Sequence, residues 1–221
     1  MKGFDFMSTK VKRKQSLGEE IANAVSHGVG ALLAIAGTVI AIVMAAIHTS
    51  GIGVVSAVLY GASLILLYMF STLYHSLTNV SAKRVFRIFD HCSIFILILG
   101  SYIPICLTLI GGALGWVLFG VNAFCAVLGI VFNSINLDRW SKASLVLYLI
   151  MGWSIIFSIK PFLAVVDKSG LPLLVLGGVA YTLGIIFYKA KPKYMHFIWH
   201  LFVLAGSVLQ YFFILFYVFM K

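Results

Sequence analysis

Charge is scarce in this chain and acid scarcest: 10% of its 221 residues are charged, and Asp and Glu together number six. A soluble domain of this length is about a quarter charged and about half apolar, whereas 62% of this one is hydrophobic. No soluble core hides that much hydrocarbon, so most of the surface must face lipid. Cysteine is sparse as well. Cys92, Cys106 and Cys125 all fall in apolar runs, and an odd count without paired spacing excludes a disulfide framework and a Cys-type metal site. Buried, inert thiols are expected. No lysine lies between residues 196 and 219, which excludes a retinal Schiff base in the last apolar run. Internal repeats are absent, and Pro104 is the proline that falls in the interior of a span, Pro172 standing at the very start of another; both speak against a transporter built on repeats and broken helices. No removable signal peptide is apparent either. The first apolar run, from Ala24 to Ile47, exceeds the ~7–15 residues of a signal h-region and suits a helix that stays in the membrane.

What the sequence has is a succession of apolar runs, each near the ~20 residues a spanning helix needs. They lie at 24–47, 53–75, 88–109, 113–133, 143–160, 171–189 and 196–219, separated by polar breaks such as Asn79 to Arg87 and Asn136 to Lys142. The expectation is an all-α membrane protein: one seven-transmembrane helix bundle over residues 20–221, behind a short basic cytoplasmic segment at 1–19. The net charge of +10 does not point to nucleic acid, because the cations sit in short runs between the spans. With the N-terminus inside, thirteen of the sixteen Lys and Arg face the cytoplasm, and only Lys160, Lys168 and Lys221 lie outside. The positive-inside rule accepts that split in one direction only. The N-terminus is expected in the cytoplasm and the C-terminus outside, in a multi-pass plasma membrane protein.

Ionisable groups in a membrane are costly, and each is a functional candidate. This topology gathers His27, His75, Asp90, His91, His196 and His200 near the cytoplasmic leaflet and leaves only His48 outside. His196 and His200 are four apart and share one helix face, a spacing by which two imidazoles can hold one metal ion. Ser71 and His75 repeat it on the second helix. Three neutral imidazoles and a water form a familiar open zinc site. Asp90 could hold that water and take its proton, and Ser71 could orient a ligand or hydrogen-bond a substrate carbonyl. His91 is a rival ligand, but it sits about 100° around the helix from Asp90, so both cannot serve one centre equally. Glu20, Asn23 and His27 also share a face. They form either an amphipathic entry into the membrane or a second shell and rim for the site.

These residues carry a resemblance. Glu20-Ile21-Ala22-Asn23 with His27-Gly28, Ser71-Thr72-Leu73-Tyr74-His75-Ser76, Phe89-Asp90-His91 followed by Gly100 to Pro104, and His196-Phe197-Ile198-Trp199-His200 are similar, in that order, to the bacterial hemolysin III family, within the progestin and adipoQ receptor superfamily. That superfamily is grouped with alkaline ceramidases as transmembrane hydrolases. The resemblance implies a seven-helix bundle with zinc on His75, His196 and His200, Asp90 bridged through water and Ser71 beside them. It implies a zinc-dependent hydrolase of lipid amide or ester bonds serving membrane homeostasis, with membrane lipids as partners. A protein hormone is not expected, because only about 20 residues precede the first span. A receptor or sensor with structural zinc, and the cytolysin of the family's name, are the alternatives.

Overall fold

A computed structural model describes residues 15–221; the basic residues Lys2, Lys10, Lys12, Arg13 and Lys14 that enter the charge count lie outside the described residues. The described residues form seven α-helices: α1 Leu17–His48, α2 Gly51–Ser76, α3 Val80–Ile103, α4 Gly112–Gly152, α5 Ile159–Val165, α6 Leu171–Lys189 and α7 Met195–Ile214. Among the described residues, six helical stretches are long and apolar enough to cross a membrane, the fourth of them running from Gly112 to Val165.

Several helix ends have local causes. Ser16 caps α1 in a reciprocal capping box with Glu19, satisfying donors that the first turn leaves open. Asn79 accepts from the Ala82 N–H and starts α3 at Val80. The stretch from Val80 to Arg87 is therefore helix, where hydropathy marks a break. Hydropathy reports where hydrocarbon begins, and a helix with Lys83, Arg84 and Arg87 on its first turns extends beyond it. Pro104 opens a π-helical stretch, Pro104–Ile110, because its ring removes a donor and crowds the preceding turn. Gly111 and Gly112 then turn the chain at φ 65° and 57°, a region glycine enters without steric cost.

The fourth stretch is folded on itself. Asn136, inside α4, has φ −161° and ψ 96°, and its side chain accepts from the Arg139 N–H at 3.0 Å. That is the geometry of an N-cap, so Asn136 begins a second helical arm. The arms run antiparallel: the Ser144 hydroxyl donates to Asn133 Oδ1 at 2.6 Å, and Asn122 Nδ2 donates to Ser154 Oγ at 2.9 Å. In an unbroken helix, residues 122 and 154 would stand about 48 Å apart.

The interior of α1 is lined by small residues, with Gly30, Ala34, Gly37, Ala41 and Ala45 all buried. Close backbone approach of this kind drives association where lipid removes the hydrophobic incentive. At Gly30 a Cβ would stand 2.6 Å from the Tyr68 ring of α2. Large apolar side chains point outward instead, with Phe124 69% and Phe157 85% exposed, as lipid-facing surface requires. The three cysteines are free.

Candidate functional site

The bundle end where α1, α3 and α7 begin and α2 ends carries the polar cluster. His75 closes α2, and His196 and His200 stand on the first turns of α7. Their ring centroids form a near-regular triangle: 5.2 Å from His75 to His196, 5.1 Å from His75 to His200, and 4.8 Å from His196 to His200. One ring nitrogen from each lies within 4.8 Å of the other two. The Nε2 atoms of all three are buried and have no hydrogen-bond partner. A buried donor or acceptor left so costs about 1–3 kcal/mol, and three on adjacent rings form a nitrogen set suited to a metal ion. Imidazole ligands suit zinc, copper, iron and nickel.

Helix α1 supports this set. Glu20 Oε2 lies 2.7 Å from His75 Nδ1, and Glu20 Oε1 lies 3.0 Å from Lys83 Nζ on α3. His200 Nδ1 lies 3.3 Å from the Asn23 carbonyl oxygen and from Ser26 Oγ. Carboxylates and carbonyls only accept, so both rings carry their proton on Nδ1 and turn a lone pair outward on Nε2. Asn23 Nδ2 also reaches His75 Nδ1 at 3.4 Å, a long contact beside the carboxylate. His27 is buried, stacks on His200 at 3.6 Å and 9°, and meets Tyr68 edge-on at 5.1 Å. Neither of its nitrogens has a hydrogen-bond partner.

The remaining candidates stand around the cluster. Asp90 is buried, but it is not in the three-histidine group; it lines the adjoining cavity, 3.5 Å from His91 Nδ1. His91 Nδ1 lies 2.9 Å from the Arg87 carbonyl oxygen, and His91 too is outside the group. Ser71 is buried one turn before His75 with its hydroxyl unpartnered. His48 lies at the opposite end, exposed. The cavity, about 300 Å³, begins at His27, Asp90 and His91 and runs between α3, α4, α6 and α7 to Phe162, Leu171 and Gln210, with mostly apolar walls.

Two supporting residues escape inspection of the membrane pattern. Glu19 is buried and accepts from the Tyr194 N–H at 2.9 Å as well as from Ser16, and Tyr194 holds a left-handed φ of 63° just before α7. Glu19 thus ties the start of α1 to the turn that presents His196. The Ser-x-x-Glu capping signature at Ser16 could have found it. Ser26 shares a ~120° sector of α1 with Glu20, Asn23 and His27, and only that periodicity hints at it.

A helical bundle with a lipid-facing exterior and a largely buried histidine triad at one end defines a multi-pass integral membrane protein. The family model described as haemolysin-III related matches residues 15–211, and the chain belongs to that family. It is 44% identical to Hemolysin-3 of Bacillus cereus over 96% of this chain and 98% of the relative. To the Hemolysin-3 homolog of Bacillus subtilis it is 42% identical over 91% and 95%. The human Monocyte to macrophage differentiation factor is 27% identical over 72% of this chain and 68% of its own, which extends the kinship to the wider receptor superfamily. A bacterial cell membrane fits the two Bacillus relatives.

Proposed function

We propose that His75, His196 and His200 hold a zinc ion near the cytoplasmic leaflet and that the protein hydrolyses an amide or ester bond of a membrane lipid, serving membrane homeostasis. The observation that carries this reading is that one ring nitrogen from each of the three lies within 4.8 Å of the other two, with all three Nε2 atoms buried and unpartnered, beside a cavity with a polar end and apolar walls. Such a cavity suits a ligand whose head is polar and whose chain is not.

Bound zinc supplies Lewis acidity and lowers the pKa of a water to about 7. The chain's own groups do the rest. The Asp90 carboxylate, outside the histidine group but on the cavity wall, accepts the proton of the attacking water. It returns that proton to the departing nitrogen or oxygen as the carbonyl bond to it breaks. The Ser71 hydroxyl, buried and uncommitted, donates to the substrate carbonyl oxygen. The apolar walls hold the acyl chain and keep bulk water out.

Seven crossings follow if each arm of the chain folded at Asn136 spans the bilayer. With the cations of the loops held inside, the N-terminus is cytoplasmic and the C-terminus outside. The test is metal content of the purified chain beside His75→Ala and His200→Ala, followed by lipid amides and esters offered as substrates. Zinc near one per chain in wild type, lost in both variants, with turnover abolished alongside, is the expected result. A folded wild type that takes up no zinc when it is supplied refutes the reading. Zinc without turnover, and with stability lost in the variants, favours the structural-zinc sensor.

A further inference from the structure

Glu20 is more than a rim charge. Its side chain is 21% exposed, yet the His75 side chain it touches is 1% exposed, so the contact reaches inward from the mouth of the bundle. Its two oxygens are divided: Oε2 takes the His75 Nδ1–H at 2.7 Å, and Oε1 takes the Lys83 ammonium at 3.0 Å. Lys83 lies 5.0 Å over the Tyr74 ring, which itself packs against His75 at 4.6 Å. The carboxylate is thus held by α3 on one side while it holds a side chain of α2 on the other. A surface ion pair with Lys83 would occupy one oxygen and place no demand on the second. The short contact to a buried imidazole is what such a pair leaves unexplained.

We propose that Glu20 is a positioning residue for the metal centre: its carboxylate fixes His75 as the Nδ1–H tautomer and aims the Nε2 lone pair at the ion. The proposal rests on the zinc reading above. A carboxylate behind a ligating histidine fixes the ring's orientation and raises its basicity, and removing such a partner typically weakens metal affinity 10–100-fold. His200 has a neutral carbonyl and a hydroxyl at the corresponding nitrogen, so the charged support falls on His75 alone of these two. Of the two, His75 is therefore the ligand whose hold on the metal depends more on a single distant side chain.

The test uses the full chain, purified, stripped of metal and titrated with zinc, and separately with cobalt(II), against a competing chelator. Glu20→Gln keeps the length and an acceptor oxygen but removes the charge. It should still bind one equivalent at saturation, with a dissociation constant raised roughly 10–100-fold, an altered cobalt visible spectrum and unchanged melting of the metal-free protein. Lys83→Gln, which breaks only the exposed half of the pair, should stay within about fivefold of wild type. Wild-type affinity in Glu20→Gln overturns the proposal and leaves the metal centre standing, as does an equal loss in both variants, which would mark general loosening of the mouth. A wild type that binds neither metal overturns the zinc reading and this proposal with it. If Glu20→Gln does not fold, Glu20→Asp, which withdraws the carboxylate by one methylene, is titrated the same way; undiminished affinity there also overturns the proposal.

Discussion

Replacing Glu19 by alanine should destabilise the protein out of proportion to a residue two positions into its first helix. Glu19 is 2% exposed and accepts from the Ser16 N–H at 2.9 Å, the Ser16 hydroxyl at 3.0 Å and the Tyr194 N–H at 2.9 Å. Losing its half of the capping box costs about 1 kcal/mol. Losing a charge-assisted bond to the Tyr194 backbone N–H, which is part-buried, costs about 1.5–3 kcal/mol more. Tyr194 sits at φ 63°, a strained conformation worth about 1–3 kcal/mol that persists only while its surroundings hold it. The two losses give about 2.5–4 kcal/mol and relaxation of Tyr194 offsets part of it, leaving about 3 kcal/mol, read as the shift in reversible unfolding of the purified chain in mixed micelles. Because Tyr194 immediately precedes the turn bearing His196, zinc affinity should fall as well. Glu19→Gln, which retains an oxygen for the Tyr194 N–H, should lose roughly half as much. A loss below about 0.5 kcal/mol in Glu19→Ala, the range of ordinary surface substitutions, would refute the claim that this carboxylate clamps α1 to α7.

Three further outcomes are expected. In Gly30→Ala a Cβ must enter space 2.6 Å from the Tyr68 ring; overpacking of this kind costs about 1–3 kcal/mol. Since Tyr68 abuts His27, and His27 stacks on His200, chelator competition should show weaker zinc binding, and unchanged binding would uncouple that chain of contacts from the centre. Asn136→Ala removes the cap of the second arm and should cost about 1 kcal/mol in the unfolding assay; no change would mean that the reversal is held by the Asn122–Ser154 and Asn133–Ser144 bonds instead. A reporter fused after Lys221 should be reached from outside intact cells, and a cytoplasmic signal would overturn the proposed orientation.

Much of the architecture was legible because the bilayer simplifies the code. A chain in hydrocarbon must satisfy its backbone internally, so apolar length alone announces helices, and Gly111, Gly112 and Asn136 mark reversals that the structure places where composition does. Helix limits were less legible. Val80 to Arg87 is polar and helical at once, since hydropathy measures solvent and the capping of Asn79 sets the helix. The polar residues of the site could be picked out from spacing, but their relations could not. His27 reads as a rim residue and is packed flat on His200, while Glu19 does not stand out in the membrane pattern at all.

The sequence by itself determined that this is a multi-helix membrane protein and which side chains are too costly in lipid to be incidental, because periodicity and transfer free energy are properties of short segments. Only the tertiary structure decided that ring nitrogens of His75, His196 and His200 draw together in a group that leaves out Asp90 and His91, and that Glu20 meets His75. Those facts depend on distances between residues as much as 177 positions apart, set by how small residues let α1, α2 and α7 approach, and no local pattern encodes them.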